Sequence, residues 1–188
     1  MEVISIRLKY IKEFNVSDRR ALTAIAKTSI ATEQQLQTMI SKNRIYSYIK
    51  EGILKKDIYY NPVPAKSIQA FRLTQYGQKI ATYYFNIKDF QHSESITHDI
   101  IIANKYFSLS LKEQKTWLSE TIIKKILQER EDEFESEKEY GALDGIYKKL
   151  DGKWTGFEAV TSSYRDKDII AKKNTCKLLK LKYEEGRR

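Results

Sequence analysis

The sequence predicts an α+β chain, and three observations lead to that expectation. Apolar residues recur at helical spacing between residues 17 and 49. The period drops to two across residues 53–73 and again across 140–162, each stretch carrying turn residues near its middle. Charge is also uneven along the chain. The 188 residues hold 34 Lys+Arg against 25 Asp+Glu, a net charge of +9, and residues 1–90 contain fifteen of the basic but only seven of the acidic ones. Two domains are expected, residues 1–90 and 91–188.

In the first half, Asn15-Val16-Ser17-Asp18 offers an N-cap, with Leu22, Ile25 and Ala26 following at helical spacing. Thr32 is placed to cap a second short helix whose inward stripe is Leu36, Met39 and Ile40. Ser41 would cap a third, with Ile45, Tyr48 and Ile49 on one face and polar residues on the others. Gly52 suits its end, because glycine tolerates positive φ. A strand is expected over 53–60, a turn over Asn61–Lys66 and a second strand over 67–73. Thr74 then opens a fourth helix.

That order, with RIYSYIKEGILKK followed by FRLTQYGQKIA, resembles the winged helix-turn-helix of bacterial regulators and mobile-element proteins. The resemblance implies that the third helix enters a major groove. Lys42, Asn43, Arg44, Tyr46, Ser47 and Lys50 are then the candidate DNA contacts, and Lys55, Lys56 and Lys66 bring positive charge to phosphates from the ribbon. A basic balance by itself favours any polyanion, an anionic membrane included. However, no apolar run approaches the roughly 20 residues needed to span a bilayer. The charged N-terminus is unlike a secretory signal. The single cysteine, Cys176, excludes an intramolecular disulfide and an all-cysteine metal site, so a cytoplasmic location is expected.

In the second half, 85–95 connects to a helix capped by Ser95 or Thr97 and running through Phe107, with His98 in its first turn as a structural histidine. A further amphipathic helix is expected over 117–128, carrying Glu120. Residues 129–139 hold seven acidic side chains and lack the Gly and Asp spacing of a calcium loop, so they read as a solvated segment. Strands over 140–149 and 153–162 flank Asp151-Gly152, a hairpin signal, and a basic helix follows over 165–179.

This order resembles the PD-(D/E)xK nuclease fold. The resemblance implies that Asp144 and Glu158 are the two carboxylates that hold Mg²⁺ for phosphodiester hydrolysis, with Glu120 as an added helical glutamate. Val160 stands where that family carries its lysine, and Leu143 replaces the proline before Asp144. Lys172 or Lys173 would have to reach in from the basic helix. The sheet is expected to be abbreviated, because the chain runs little beyond that helix. THDIIIANKYFSL, WLSE, LDGIY and GFEAV, following the winged helix, make residues 17–180 similar to the replication-relaxation family of plasmids and integrative elements. The expectation is a sequence-specific double-stranded DNA-binding protein acting in replication, conjugative transfer or regulation of such an element, its second domain non-catalytic and without a cofactor. The alternatives are an Mg-dependent endonuclease using Asp144 and Glu158, or a winged-helix antitoxin or repressor. Expected partners are double-stranded DNA, a replication, relaxase or toxin protein, and a second copy of the chain, since two half-sites sharpen recognition.

Overall fold

The computed structural model describes residues 8–62, 65–93 and 95–187, with the side chains of residues 61–66 outside that description. Within these bounds the chain is α+β, with eight α-helices and seven strands. It forms two compact units, Met1–Ala26 with Ile30–Lys88 and Lys27–Ser29 with Asp89–Arg188.

The first unit contains α1 (Val16–Thr28), β1 (Ala31–Thr32), α2 (Glu33–Gln37), α3 (Lys42–Lys50), β2 (Leu54–Pro62), β3 (Ala65–Leu73) and α4 (Gln75–Phe85). Local chemistry sets most of the boundaries. The Asn15 side chain accepts the Ser17 and Asp18 amides at 2.8 and 3.1 Å and so opens α1. Thr32 and Gln35 form a capping box on α2. Ser41 and Thr74 accept the amides of Arg44 and Gly77 at the starts of α3 and α4. Gly52 follows α3 at φ +76° and turns the chain into β2.

Two expectations change in this unit. The second helix stops at Gln37, although Leu36 and Ile40 are buried as anticipated. The ribbon is also longer. β2 pairs antiparallel with β3 from Leu54↔Leu73 to Pro62↔Ala65, so Asn61 and Lys66 lie in strands and not in the expected turn, whose residues 63 and 64 lie outside the described residues. β1 pairs with the far side of β3, giving the sheet order β1-β3-β2. Leu22, Leu36, Ile45, Tyr48, Ile53 and Ile80, all fully buried, form the core between helices and sheet.

The second unit contains α5 (Ile96–Ser108), α6 (Leu111–Thr116), β4 (Leu118–Ser119), α7 (Glu120–Gln128), β5 (Gly145–Lys148), β6 (Trp154–Val160), α8 (Asp166–Leu178) and β7 (Lys182–Arg187). Ser95, not Thr97, caps α5, accepting the His98 amide at 3.2 Å. The helix expected over 117–128 begins only at Glu120, because Trp117–Ser119 is extended and Leu118 and Ser119 pair with β5. The sheet order is β4-β5-β6-β7, antiparallel at the first two junctions and parallel at the last. β7 follows the basic helix and is a strand that the sequence reading does not include.

Trp117 is 1 % exposed and stacks on Tyr147 at 5.9 Å between centroids. Gly145 makes that seat possible, since a Cβ there would lie 2.1 Å from the indole. Asp144-Gly145 is therefore the entry to a strand, and glycine is needed for close approach. The Asp-Gly turn of the unit is Asp151-Gly152, where Gly152 has φ +86°. Glu184 on β7 binds Lys105 of α5, the Tyr147 hydroxyl of β5 and Lys149. Burial opposes its ionisation, but those donors hold its carboxyl down at about 2.

Candidate functional sites: a basic helix and a buried carboxylate cluster

The polar surface of α3 is laid out by the apolar side of the same helix. Ile45 and Tyr48 are buried, which leaves Lys42, Asn43, Tyr46 and Lys50 exposed, with Lys55 and Lys56 exposed on β2. The Lys42 ammonium lies 5.8 Å from the centroid of the Tyr46 ring and 3.3 Å from Glu33. Ser47 is half-buried, and its hydroxyl donates to the Asn43 carbonyl at 3.0 Å. The Lys66 side chain lies outside the described residues.

Arg44 differs from its neighbours. It turns inward onto Asp18 of α1, with Nε 2.9 Å from Oδ1 and an Nη 2.6 Å from Oδ2, and that Nη also donates to the Glu13 carbonyl at 2.6 Å. The Tyr48 hydroxyl donates to Asp18 Oδ1 at 2.6 Å, and the Asn15 amide donates to Oδ2 at 2.8 Å. Asp18 is fully buried, so four donors share one desolvated carboxylate. Burial opposes the charge on Arg44, but Asp18 more than offsets this and raises its pKa. Arg44 is thus the anchor of α3 on α1, and its donors face Asp18 and Glu13 in place of an exposed ligand. Asp18 escapes a sequence reading focused on basic residues, because its position reads simply as part of a helix cap.

In the second unit, three expected acids meet at one end of the sheet. Ser119↔Gly145 pairing sets Glu120, just past β4, alongside Asp144, just before β5. Asp144 and Glu158 then cross-brace the two strands: Asp144 Oδ2 accepts the Ala159 amide at 2.7 Å, and Glu158 Oε2 accepts the Asp144 amide at 3.3 Å. Glu120 is buried and held by Gln91, which receives its amide at 3.0 Å, and by Lys124 at 2.7 Å.

Lys172 of α8 brings a cation to the cluster. Its Nζ is 2.8 Å from Glu158 Oε1 and also donates to the Ala142 carbonyl. Val160 is buried and apolar, as its side chain requires. The Tyr164 hydroxyl donates to Glu158 Oε1 at 2.6 Å. His98 of α5 is 2 % exposed, with Nε2 at 3.2 Å from Asp144 Oδ2 and Nδ1 at 3.5 Å from Asp99 Oδ1. Burial, and then Asp144, push the Glu158 carboxyl up to about 7 against the opposing pull of Lys172 and Tyr164. Burial opposes the charge on Lys172, yet Glu158 raises its pKa overall. Tyr164 carries no motif and escaped the sequence reading; its only signal was its place between β6 and α8.

Hard oxygens of this kind suit Mg²⁺ chemically, and several of them already accept hydrogen bonds within the cluster. The carboxylates spend oxygens on two backbone amides, a lysine and a phenol. Among the described residues no group of three or more His, Cys, Asp or Glu side chains is disposed to hold a metal ion. The cluster as built is a closed polar brace. No helix among the described residues is long and apolar enough to cross a membrane. No known protein family, curated protein or solved structure matches the chain.

Proposed function

We propose that the chain binds double-stranded DNA sequence-specifically, in the replication, conjugative transfer or regulation of a plasmid or other mobile element, as the resemblance of its short sequence motifs to those of the replication-relaxation family suggests. The observation that carries this reading is the exposed face of α3. Lys42, Asn43, Tyr46 and Lys50 project from a helix that Arg44 fixes to α1, beside Lys55 and Lys56. Helices α1–α3, the ribbon and α4 follow the winged-helix order, in which such a face reads a major groove and lysines position the duplex through phosphates. Lysine contacts of this sort release counterions, so affinity should fall steeply with salt.

Selection of bound duplexes from random DNA, followed by gel shifts, tests the proposal. Lys42→Ala with Lys50→Ala should weaken binding and lower the salt slope by about 2, one per lost phosphate contact. Unchanged affinity in that pair would remove α3 from the interface. Arg44→Ala is a poor probe, since it strips Asp18 of its cation and acts through stability.

A second reading, DNA cleavage, is favoured by the position of Lys172 beside Glu158. The carboxylates would first have to release their amides to offer oxygens to a cation, and no metal-dependent step is assigned to them. Incubating supercoiled plasmid with the protein and Mg²⁺ or Mn²⁺ distinguishes the readings. Nicking lost in both Asp144→Asn and Lys172→Met would establish cleavage.

A further inference from the structure

The β5–β6 hairpin ends in a basic, apolar tip that the α3 surface does not explain. Leu150 is 69 % exposed and Trp154 is 40 % exposed, in a unit whose other tryptophan is buried. Lys148 pairs directly with Trp154 across the two strands, so their side chains lie on the same face. The Lys148 amide donates to Thr116 Oγ1 at 2.9 Å, which ties the hairpin to α6 and brings up its exposed Leu111, Lys112 and Lys115.

The local acids offset only part of this charge. Asp151 lies 3.8 Å from Lys153, and Glu113, kept ionised by the Ser110 hydroxyl and amide and by the Leu150 amide, supplies one further negative charge against Lys112, Lys115 and Lys148. Lys112, Lys115 and Lys148 are exposed and form no ion pair among the described residues. The turn at the tip has a defined backbone geometry. Gly152 takes the positive φ that the turn needs, and the Lys149 amide donates to the Lys153 carbonyl at 2.9 Å. An exposed aromatic ring therefore stands on a hairpin with an excess of positive charge.

We infer that this tip binds single-stranded DNA, with an unpaired base stacked on Trp154 and the lysines following the phosphates. Charge selects a polyanion, and the indole face selects a partner with free π surfaces, which a closed duplex keeps inside its stack. Leu150, exposed at the same turn, adds apolar surface to the tip. The inference shares with the proposed function the assumption that DNA is the partner. It does not depend on α3, and the two can fail separately.

The test uses the full chain and an oligothymidylate of about 20 nucleotides, a length that covers one such site. Because Trp117 is buried, quenching of the exposed indole reports Trp154. Saturable quenching is expected in the native chain; anisotropy of a fluorophore-labelled oligothymidylate, which needs no indole, should show affinity lowered about tenfold in Trp154→Ala, as for loss of one stacked base. Trp154→Phe should retain most of the affinity. Lys148→Glu, which leaves the ring in place, should also weaken binding. Unaltered Trp117 emission and circular dichroism confirm that the variants are folded. Duplex gel shifts, run in parallel, should be unchanged. The inference is overturned if oligothymidylate binds equally well to Trp154→Ala. It is also overturned if the tip instead binds anionic vesicles, or drives self-association that Leu150→Ser abolishes, without affinity for the oligonucleotide.

Discussion

Both units bury an acid against a base, but the charge balance differs. In the first, one carboxylate, Asp18, meets one guanidinium, a phenol and a backbone amide, and every donor points at it. In the second, Asp144 and Glu158 share a single lysine, with Tyr164 and His98 alongside. The balanced network holds a helix still, and it leaves the other polar side chains of α3 exposed. In the unbalanced one, burial first and the second carboxylate of Asp144 next lift Glu158 to about 7. A buried acid can therefore serve as a fixed anchor or as a group poised to exchange protons, according to how many cations face it.

The largest expected effect is at the balanced site. Asp18→Ala should destabilise the first unit by about 2–4 kcal/mol, because it leaves the buried Tyr48 hydroxyl and the half-buried Arg44 guanidinium without their acceptor. Urea unfolding followed by circular dichroism measures it; a loss below about 1 kcal/mol would mean that Arg44 finds water easily and that the network is no anchor. Next is Gly145→Ala, which drives a methyl group into the buried indole of Trp117 and should cost about 1–3 kcal/mol in the second unit.

Glu158→Gln separates the two sites by pH. Glu158 holds its proton to about 7 when folded, against 4.5 for an ordinary glutamate. The folded chain thus binds more protons between those values, so the group's contribution to stability is complete below about 4.5 and is lost as pH rises through 7. Thermal unfolding of the second unit should show this decline in the native chain and a flatter profile in Glu158→Gln. An identical slope in both would place the unbalanced charge elsewhere. The smallest effect is a control common to both units. Gly52→Ala and Gly152→Ala face open space at positive φ, so each should cost about 1 kcal/mol from backbone strain alone.

Much of the fold was legible in short stretches. Thr32, Ser41, Thr74 and Ser95 cap helices that the sequence located, and Asp151-Gly152 makes the expected hairpin. These features depend on residues a few positions apart. The extended Trp117–Ser119 segment was less legible: its indole and leucine fit a helical stripe, and only pairing with β5 draws the backbone straight. β7 was missed because Lys182–Arg187 is too polar to show a buried face; its register with β6 and the grip of Lys105 on Glu184 hold it in the sheet.

The sequence by itself determined the α+β class, the uneven charge, the caps and turns, and the identity of Glu120, Asp144 and Glu158 as notable acids. Only the tertiary structure decided what those side chains face. Arg44 belongs by sequence with Lys42 and Lys50, yet it is 26 residues from the carboxylate that claims it. Lys172 lies one helix beyond Glu158, and His98 reaches Asp144 from α5 on the far side of β4 and α7 in sequence. Caps and turns are set by neighbours along the chain, whereas a buried charge is settled by whichever partner the packing brings within hydrogen-bond distance.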